Sequence, residues 1–241
     1  MPIHSRLGRA VEPFGRVLFF GRAHECPLCG ASIRRFLPNR SRADARCPSC
    51  GSLERHRLSW LYLRTCGSLG RVLHVAPERQ IRRRLRAKAR TYVTVDLGRK
   101  ADVRASITSL PFPPEFFDTI YCSHVLEHVV EDRTAMRELC RVLAPRGLAL
   151  VLVPITVERT FEDPTVTDPA ERERLFGQHD HVRRYGHDYV DRLEEAGFSV
   201  SRLDAPDLTD DAKRHGVGTA EAGSIFVCTK WHAHPTAAIY V

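Results

Sequence analysis

Apolar positions along the 241-residue chain fall into short runs separated by stretches of helical period. From residue 70 the pattern is regular. Residues 71–76 (RVLHVA) read as a short apolar strand, and 77–89 (PERQIRRRLRAKA) as a helix with Ile81 and Leu85 on one face. Residues 91–97 (TYVTVDL) are rich in β-branched side chains and predict a second strand. Residues 117–123 (FDTIYCS) predict a third. Residues 133–147 (RTAMRELCRVLAPRG) predict an amphipathic helix with Ala135, Leu139, Val142 and Leu143 facing inward, stopped by Pro-Arg-Gly. A buried strand at 148–155 follows, then a helix at 187–198 stopped by Gly197, then strands at 199–205 and 223–230. Strands that alternate with helices predict an α/β fold with a doubly wound, mostly parallel sheet. Such sheets bind ligands at the carboxyl ends of their strands. Upstream, Leu58, Leu61 and Tyr62 repeat at helical spacing within 52–66, so a helix joins the front of the chain to the main domain. Its start, Glu54-Arg55-His56-Arg57, reads as a solvated first turn. The expected division is an N-terminal segment at 1–67, a main domain at 68–232 and a tail at 233–241.

The front segment has its own chemistry. Cys26, Cys29, Cys47 and Cys50 form C-x2-C-x17-C-x2-C, a spacing that reads as a zinc site. Each pair sits in a CPxCG turn whose glycine, Gly30 or Gly51, permits a left-handed backbone. Four thiolates complete a tetrahedron, so the ion is structural and leaves no position for catalysis. Cys66, Cys122, Cys140 and Cys228 lack paired spacing and read as small apolar residues. Zinc ribbons bind nucleic acid, bind protein or brace a neighbouring domain, so this one does not name a substrate.

Charge sharpens the contrast between the two halves. Residues 1–104 carry 23 Lys and Arg against 7 Asp and Glu, whereas 105–241 carry 14 against 22. A basic front raises the prospect of an anionic partner such as RNA. Arginine supplies 33 of the 37 basic residues, and such runs usually lie on solvated helix faces. No apolar run approaches the roughly 18 residues of a membrane span, and the front run VLFF (17–20) is too short for a signal-peptide core. Together with the cysteine usage, this predicts a cytoplasmic protein.

The run from strand 71–76 through Val95-Asp96, LPFPPEFFDTIYCSHVLEHV (110–129) and LAPRGLALVLVP (143–154) resembles the class I S-adenosylmethionine (SAM)-dependent methyltransferases over about residues 70–230. The resemblance implies a Rossmann-like, seven-stranded sheet with an antiparallel last strand. It also implies SAM across the tips of the first, second and fourth strands. It assigns Asp96 to the ribose hydroxyls, with Leu97 beside it. His74, Ala76 and Glu78 stand where the family's first loop has an acidic residue and two glycines, with Pro77 between the last two. Glu78 is then expected to supply the charge for the SAM ammonium. Ser106 takes the place of a family aspartate at the adenine amino group, and Ile107 packs on the adenine. Ser123 and His124 follow the fourth strand, at the rim where cofactor and acceptor meet.

A methyl group on a sulfonium is already activated, so the protein chiefly positions the acceptor. A base is needed only if the acceptor must lose a proton. His124 is one candidate. Glu127 and His128 lie one turn further on, where His128 reads as structural. The other candidates lie in the long connection 156–187, in FGQHDHVRRYGHD (176–188). Here His179 and His181 are expected bases and Tyr185 a further catalytic residue. Asp180, Arg183, Arg184 and Tyr185 are expected to hold the acceptor, an arginine fork taking a carboxylate or phosphate. His179-x-His181 also brings two imidazoles near enough to share a weakly held metal.

These features favour methyl transfer to a small polar or anionic acceptor, such as a metabolite, a sugar or a natural-product intermediate. A zinc-ribbon RNA methyltransferase is the alternative, favoured by the basic front. A non-catalytic nucleic-acid or protein binding module is the third reading, and would explain the altered first loop.

Overall fold

The computed structural model describes residues 14–40, 42–98, 100–219 and 223–230. Among them, seven strands form the main sheet in the order β12-β13-β9-β8-β5-β6-β7. In chain order these are β5 (Gly70–Val75), β6 (Ala89–Asp96), β7 (Val103–Arg104), β8 (Phe117–Ser123), β9 (Leu143–Leu152), β12 (Phe198–Leu203) and β13 (Ile225–Lys230). Strand β8 runs parallel to β5, with Val72 opposite Thr119 and Val75 opposite Cys122. It also runs parallel to β9, with Tyr121 opposite Leu150. Strand β13 is antiparallel to β9, pairing Val227 with Leu150. The antiparallel strand and the seven-strand count match the expectation from the resemblance. Helices Arg79–Lys88 and Asp132–Val142 follow β5 and the β8 rim, as their apolar periodicity predicts. Burial of Val72, Leu73, Ile120, Cys122, Ala149, Leu150 and Val151 explains why these strands read as continuous apolar runs.

One element differs from the sequence reading. The helix ends at Val142, and Leu143 already begins β9. Leu143 pairs with Phe117, the register shifts, and pairing resumes at Thr119 with Leu148. Pro145 lacks the backbone donor a helix needs. A Cβ on Gly147 would sit 2.6 Å from Leu143 Cδ1, so glycine allows this close turn.

The described residues group into two compact units, and the grouping does not follow a boundary at 67 and 68. Among the described residues, Pro77–Tyr92 and Arg202–Phe226 fall with residues 14–69; the other unit comprises Gly70–Ala76, Val93–Ser201 and residues 227–230. Helix Arg79–Lys88 belongs with the first unit for visible reasons. Arg84 lies 5.4 Å over the Trp60 ring and donates to the Leu28 carbonyl at 2.6 Å. Lys88 donates to the carbonyls of Leu63 and Arg64, at the end of helix Glu54–Leu63.

The front of the first unit holds two short hairpins, β1 (Phe20–Cys26) with β2 (Ala31–Ile33) and β3 (Leu37–Asn39) with β4 (Arg42–Arg46). The start of helix Glu54–Leu63 is buried, contrary to its reading as a solvated turn: Glu54, His56 and Arg57 are 2%, 1% and 0% exposed. Arg57 explains why. Its guanidinium donates to the carbonyls of Ala45, Ser52, His215 and Gly216 at 2.7–2.9 Å and lies 4.1 Å over the Phe36 ring.

Candidate active site and cysteine cluster

The cysteine cluster follows directly from its two turns. The Gly30 amide donates to the Cys26 carbonyl and the Gly51 amide to the Cys47 carbonyl, at 2.8 and 2.9 Å. Both glycines have φ of +70°, which the CPxCG spacing anticipates. The four side chains converge, with Cys26 and Cys50 sulfurs 3.8 Å apart and Cys29 and Cys47 sulfurs 3.8 Å apart. Thiolates at about 2.3 Å from a tetrahedral zinc ion would lie about 3.8 Å apart. The residues therefore fit the ion. Four thiols in one site cannot all ionise without a counter-cation. Hydrogen bonds from neighbouring sulfurs hold Cys26 well below its ordinary value, and the same contacts push Cys47 and Cys50 up.

In the second unit, the carboxyl ends of β5, β6 and β8 carry most of the residues expected to hold a cofactor. Ala76 follows β5 with φ of +45°, and its amide donates to the Val95 carbonyl at 2.8 Å. His124 follows β8 with φ of +55°, and its amide donates to the Leu152 carbonyl at 2.8 Å. A left-handed backbone at a residue with a Cβ costs about 1–2 kcal/mol. Two such residues follow neighbouring parallel strands. Strain of this kind concentrates at functional sites. Asp96 ends β6, half-buried, and its Oδ1 accepts the Gly98 amide at 3.0 Å. Leu97, next to it, is 69% exposed, an apolar surface suited to a flat ligand. Ser106 Oγ accepts the Thr108 amide at 3.2 Å, and Ile107 is buried. Ser123 Oγ is buried without a hydrogen bond. His74 is fully buried and packs edge-on against Tyr121. This set fits a nucleoside ligand: a carboxylate with acceptor capacity, an exposed apolar side chain beside it, and turned backbone at two strand tips.

Pro77 and Glu78 are the next residues of the chain and belong to the first unit. Glu78 Oε1 accepts from His56 Nε2 at 2.8 Å and from Arg55 Nε at 3.2 Å. The His56 tautomer is set by its Nδ1, which accepts the Leu53 amide at 2.9 Å. Burial works to raise the Glu78 pKa, but His56 and Arg55 outweigh it and hold the carboxyl below its usual range. Glu78 thus already has a cationic partner, which the sequence reading did not foresee.

The expected acceptor residues separate into two groups. Tyr185 is fully buried, and its hydroxyl donates to Asp132 Oδ2 at 2.7 Å. Burial and then Asp132 push that hydroxyl far up, which fits it for packing rather than proton transfer. Arg183 is 4% exposed and donates to the Leu126, Val129 and Val130 carbonyls and to Glu162. Glu162 is pulled down to about 2, Arg192 and Arg183 overcoming its burial. Arg184 is bound to Thr156 through Nε and Nη2. Near these residues lies a cleft of about 370 Å³ whose lining mixes Glu131, Arg133, Asp163, Arg172, Arg183 and Arg192.

The second group gathers around Glu127. His124 Nδ1 lies 3.1 Å from Glu127 Oε1. His128 and His181 stand edge to face with ring centroids 4.7 Å apart. His128 Nδ1 lies 3.4 Å from Asp180 Oδ2. Burial lowers the His181 pKa, against the opposing pull of Glu127. His179 is exposed and stands outside the group.

A family model described as a methyltransferase domain matches residues 55–151. A malonyl-[acyl-carrier protein] O-methyltransferase of Halorhodospira halophila is 31% identical over 115 residues, 47% of this chain and 37% of that protein. A ubiquinone/menaquinone biosynthesis C-methyltransferase of Yersinia pestis is 45% identical over 56 residues, 23% of this chain and 22% of that protein. The chain thus spans well under half the length of these relatives. A SAM-dependent methyltransferase structure from Mesorhizobium loti superposes with a TM-score of 0.51 at 16% identity, covering 72% of this chain and 98% of that one. Among the described residues, no helix is long and apolar enough to cross a membrane. The strand order and the structural likeness agree on a Rossmann-like methyltransferase fold, and residues 55–151 match a methyltransferase domain.

Proposed function

We propose that this protein transfers a methyl group from SAM to a small polar or anionic acceptor. The observation that carries the reading is the rim of β5, β6 and β8, where left-handed Ala76 and His124 flank the sheet position at which chain order reverses. Ligands of open α/β sheets bind at that reversal. Asp96 would accept both ribose hydroxyls, Leu97 and Ile107 would pack on the adenine, and Ser106 would accept from its amino group. His74, Ala76 and Ser123 of the same unit complete the cofactor set. SAM itself supplies the activated methyl. His124, half-exposed beside Glu127, is the preferred proton acceptor, ahead of His181 and exposed His179. The mixed lining of the cleft favours a small polar acceptor, which Asp180 and Arg184 would help to hold. The cysteine cluster holds structural zinc.

S-adenosylhomocysteine (SAH) should raise the Tm of the purified chain; at 100 times its Kd the gain is about 2.7 kcal/mol. Asp96→Asn should weaken that binding about tenfold, the loss of one charged hydrogen-bond acceptor. No stabilisation by SAH would favour the non-catalytic binding module. Methyl label from SAM should then enter the small-molecule fraction of a lysate.

One observation favours the RNA alternative. Phe14 and Phe20, in the first unit, are 66% and 65% exposed, and Arg16, Arg22, Arg34 and Arg35 of the same unit are exposed. Exposed aromatics among arginines suit unpaired bases. Label entering RNA, lost at high salt, would select that reading.

A further inference from the structure

We propose that Glu127, His128 and His181 form a second metal site, for a first-row transition dication such as Zn²⁺ or Mn²⁺. Their ligand atoms all lie within 4.8 Å of one another. Tetrahedral nitrogen and oxygen ligands at about 2.1 Å from an ion sit about 3.4 Å apart, so closure needs only side-chain adjustment. Two imidazoles and a carboxylate suit such an ion better than Mg²⁺ or Ca²⁺.

Three further features point to an ion. First, Glu127 is 1% exposed and its Oε2 is buried without a hydrogen bond. A buried carboxyl oxygen that accepts no hydrogen bond is an open electron-pair donor, and a bound dication would fill that place. Second, both rings are oriented as metal ligands usually are. His181 Nδ1 lies 3.1 Å from the Phe176 carbonyl, and His128 Nδ1 lies 3.3 Å from the Asp180 carbonyl. Donation from Nδ1 leaves the Nε2 lone pair for the ion. At His181, that nitrogen now meets the Gln178 amide at 2.5 Å, which the ion would displace. Third, the backbone fixes the two segments together before any ion binds. The Val182 amide donates to the Glu127 carbonyl at 2.9 Å, and Arg183 donates to the Leu126 carbonyl at 3.0 Å. Ligands from 3₁₀ turn Leu126–His128 and from residue 181 are therefore held in register.

Three protein ligands leave a position for water or an acceptor oxygen, unlike the four-cysteine site. His124, in contact with Glu127, places this position near the β8 rim. Only its use by an acceptor rests on the methyl-transfer reading; ion binding does not.

The test uses the full chain with its cysteines loaded with one equivalent of zinc. Co²⁺ is then titrated in, followed by visible absorption and by metal analysis after dialysis. The wild type should take a second ion per chain, with d–d bands and no new thiolate-to-cobalt charge-transfer band. Glu127→Gln and His181→Gln should each weaken that binding by at least about tenfold. The half-exposed His128→Gln, least disruptive to folding, should do the same. SAH stabilisation, measured alongside, reports on the methyl-transfer reading independently. A wild type that takes no second ion, or one whose cobalt affinity is unchanged in all three variants, overturns the proposal.

Discussion

Each unit holds a carboxylate that the sequence leaves ambiguous, and the two differ in what meets one of their oxygens. Glu78, in the first unit, is met by a guanidinium and an imidazole N–H. Glu127, in the second, is met by the His124 imidazole on one oxygen. A carboxylate neutralised by arginine has its counter-charge within the fold. One whose neighbours are imidazoles is surrounded by ligand-forming groups. The difference teaches that burial alone does not mark a functional carboxylate; the identity of the cation does.

The largest expected effect lies on the closed side of this comparison. Arg57→Ala would leave four carbonyls of the first unit without their donor, and should cost about 3–5 kcal/mol in urea unfolding. A loss below about 1 kcal/mol would mean that water replaces the guanidinium and that the unit is less closed than described.

Next comes the direct contrast. Glu78→Gln should cost about 2 kcal/mol at pH 7, because it strips Arg55 and His56 of a charged partner. Glu127→Gln, in protein free of the proposed second ion, should leave stability unchanged or raise it. Equal losses in both variants would break the comparison. Acid sharpens it. The Glu78 pKa is depressed on folding, so its contribution is complete above the ordinary carboxylate range and is lost as pH falls through and below it. The stability gap between wild type and Glu78→Gln should therefore shrink from pH 7 to pH 3.

The smallest effect concerns the rim. Ala76→Gly should gain about 1 kcal/mol by relieving the left-handed backbone, with SAH affinity kept. A destabilised variant would show that the Ala76 methyl contributes packing.

Much of the fold was legible because the main strands are buried on both faces, and LPF, HVLEHV and LAPRG frame them. Strand β7, only Val103–Arg104, is too short to show a period. The cysteine cluster was legible because its four cysteines pair locally through two turns. The start of helix Glu54–Leu63 was not. Its charges looked solvated because their partners lie far along the chain: Glu78 is 22 residues from His56, and Gly216 is 159 from Arg57. In the polar 176–188 segment, local spacing points to His179 beside His181. Tertiary pairing supplied His128 and Glu127 instead. Likewise Tyr185 and Arg183 looked available for an acceptor, while Asp132 and the carbonyls after Leu126 engage them.

The Arg57 bonds to His215 and Gly216 also bear on synthesis. A ribosome adding about 5–20 residues per second needs roughly 8–32 s to pass from the arginine to those carbonyls. During that interval the cysteine segment has been synthesised, but part of the guanidinium's final shell has not. A nascent first unit would hold a charged side chain in waiting, exposed to chaperones or to early metal capture, until the segment around residue 216 emerges to seal it.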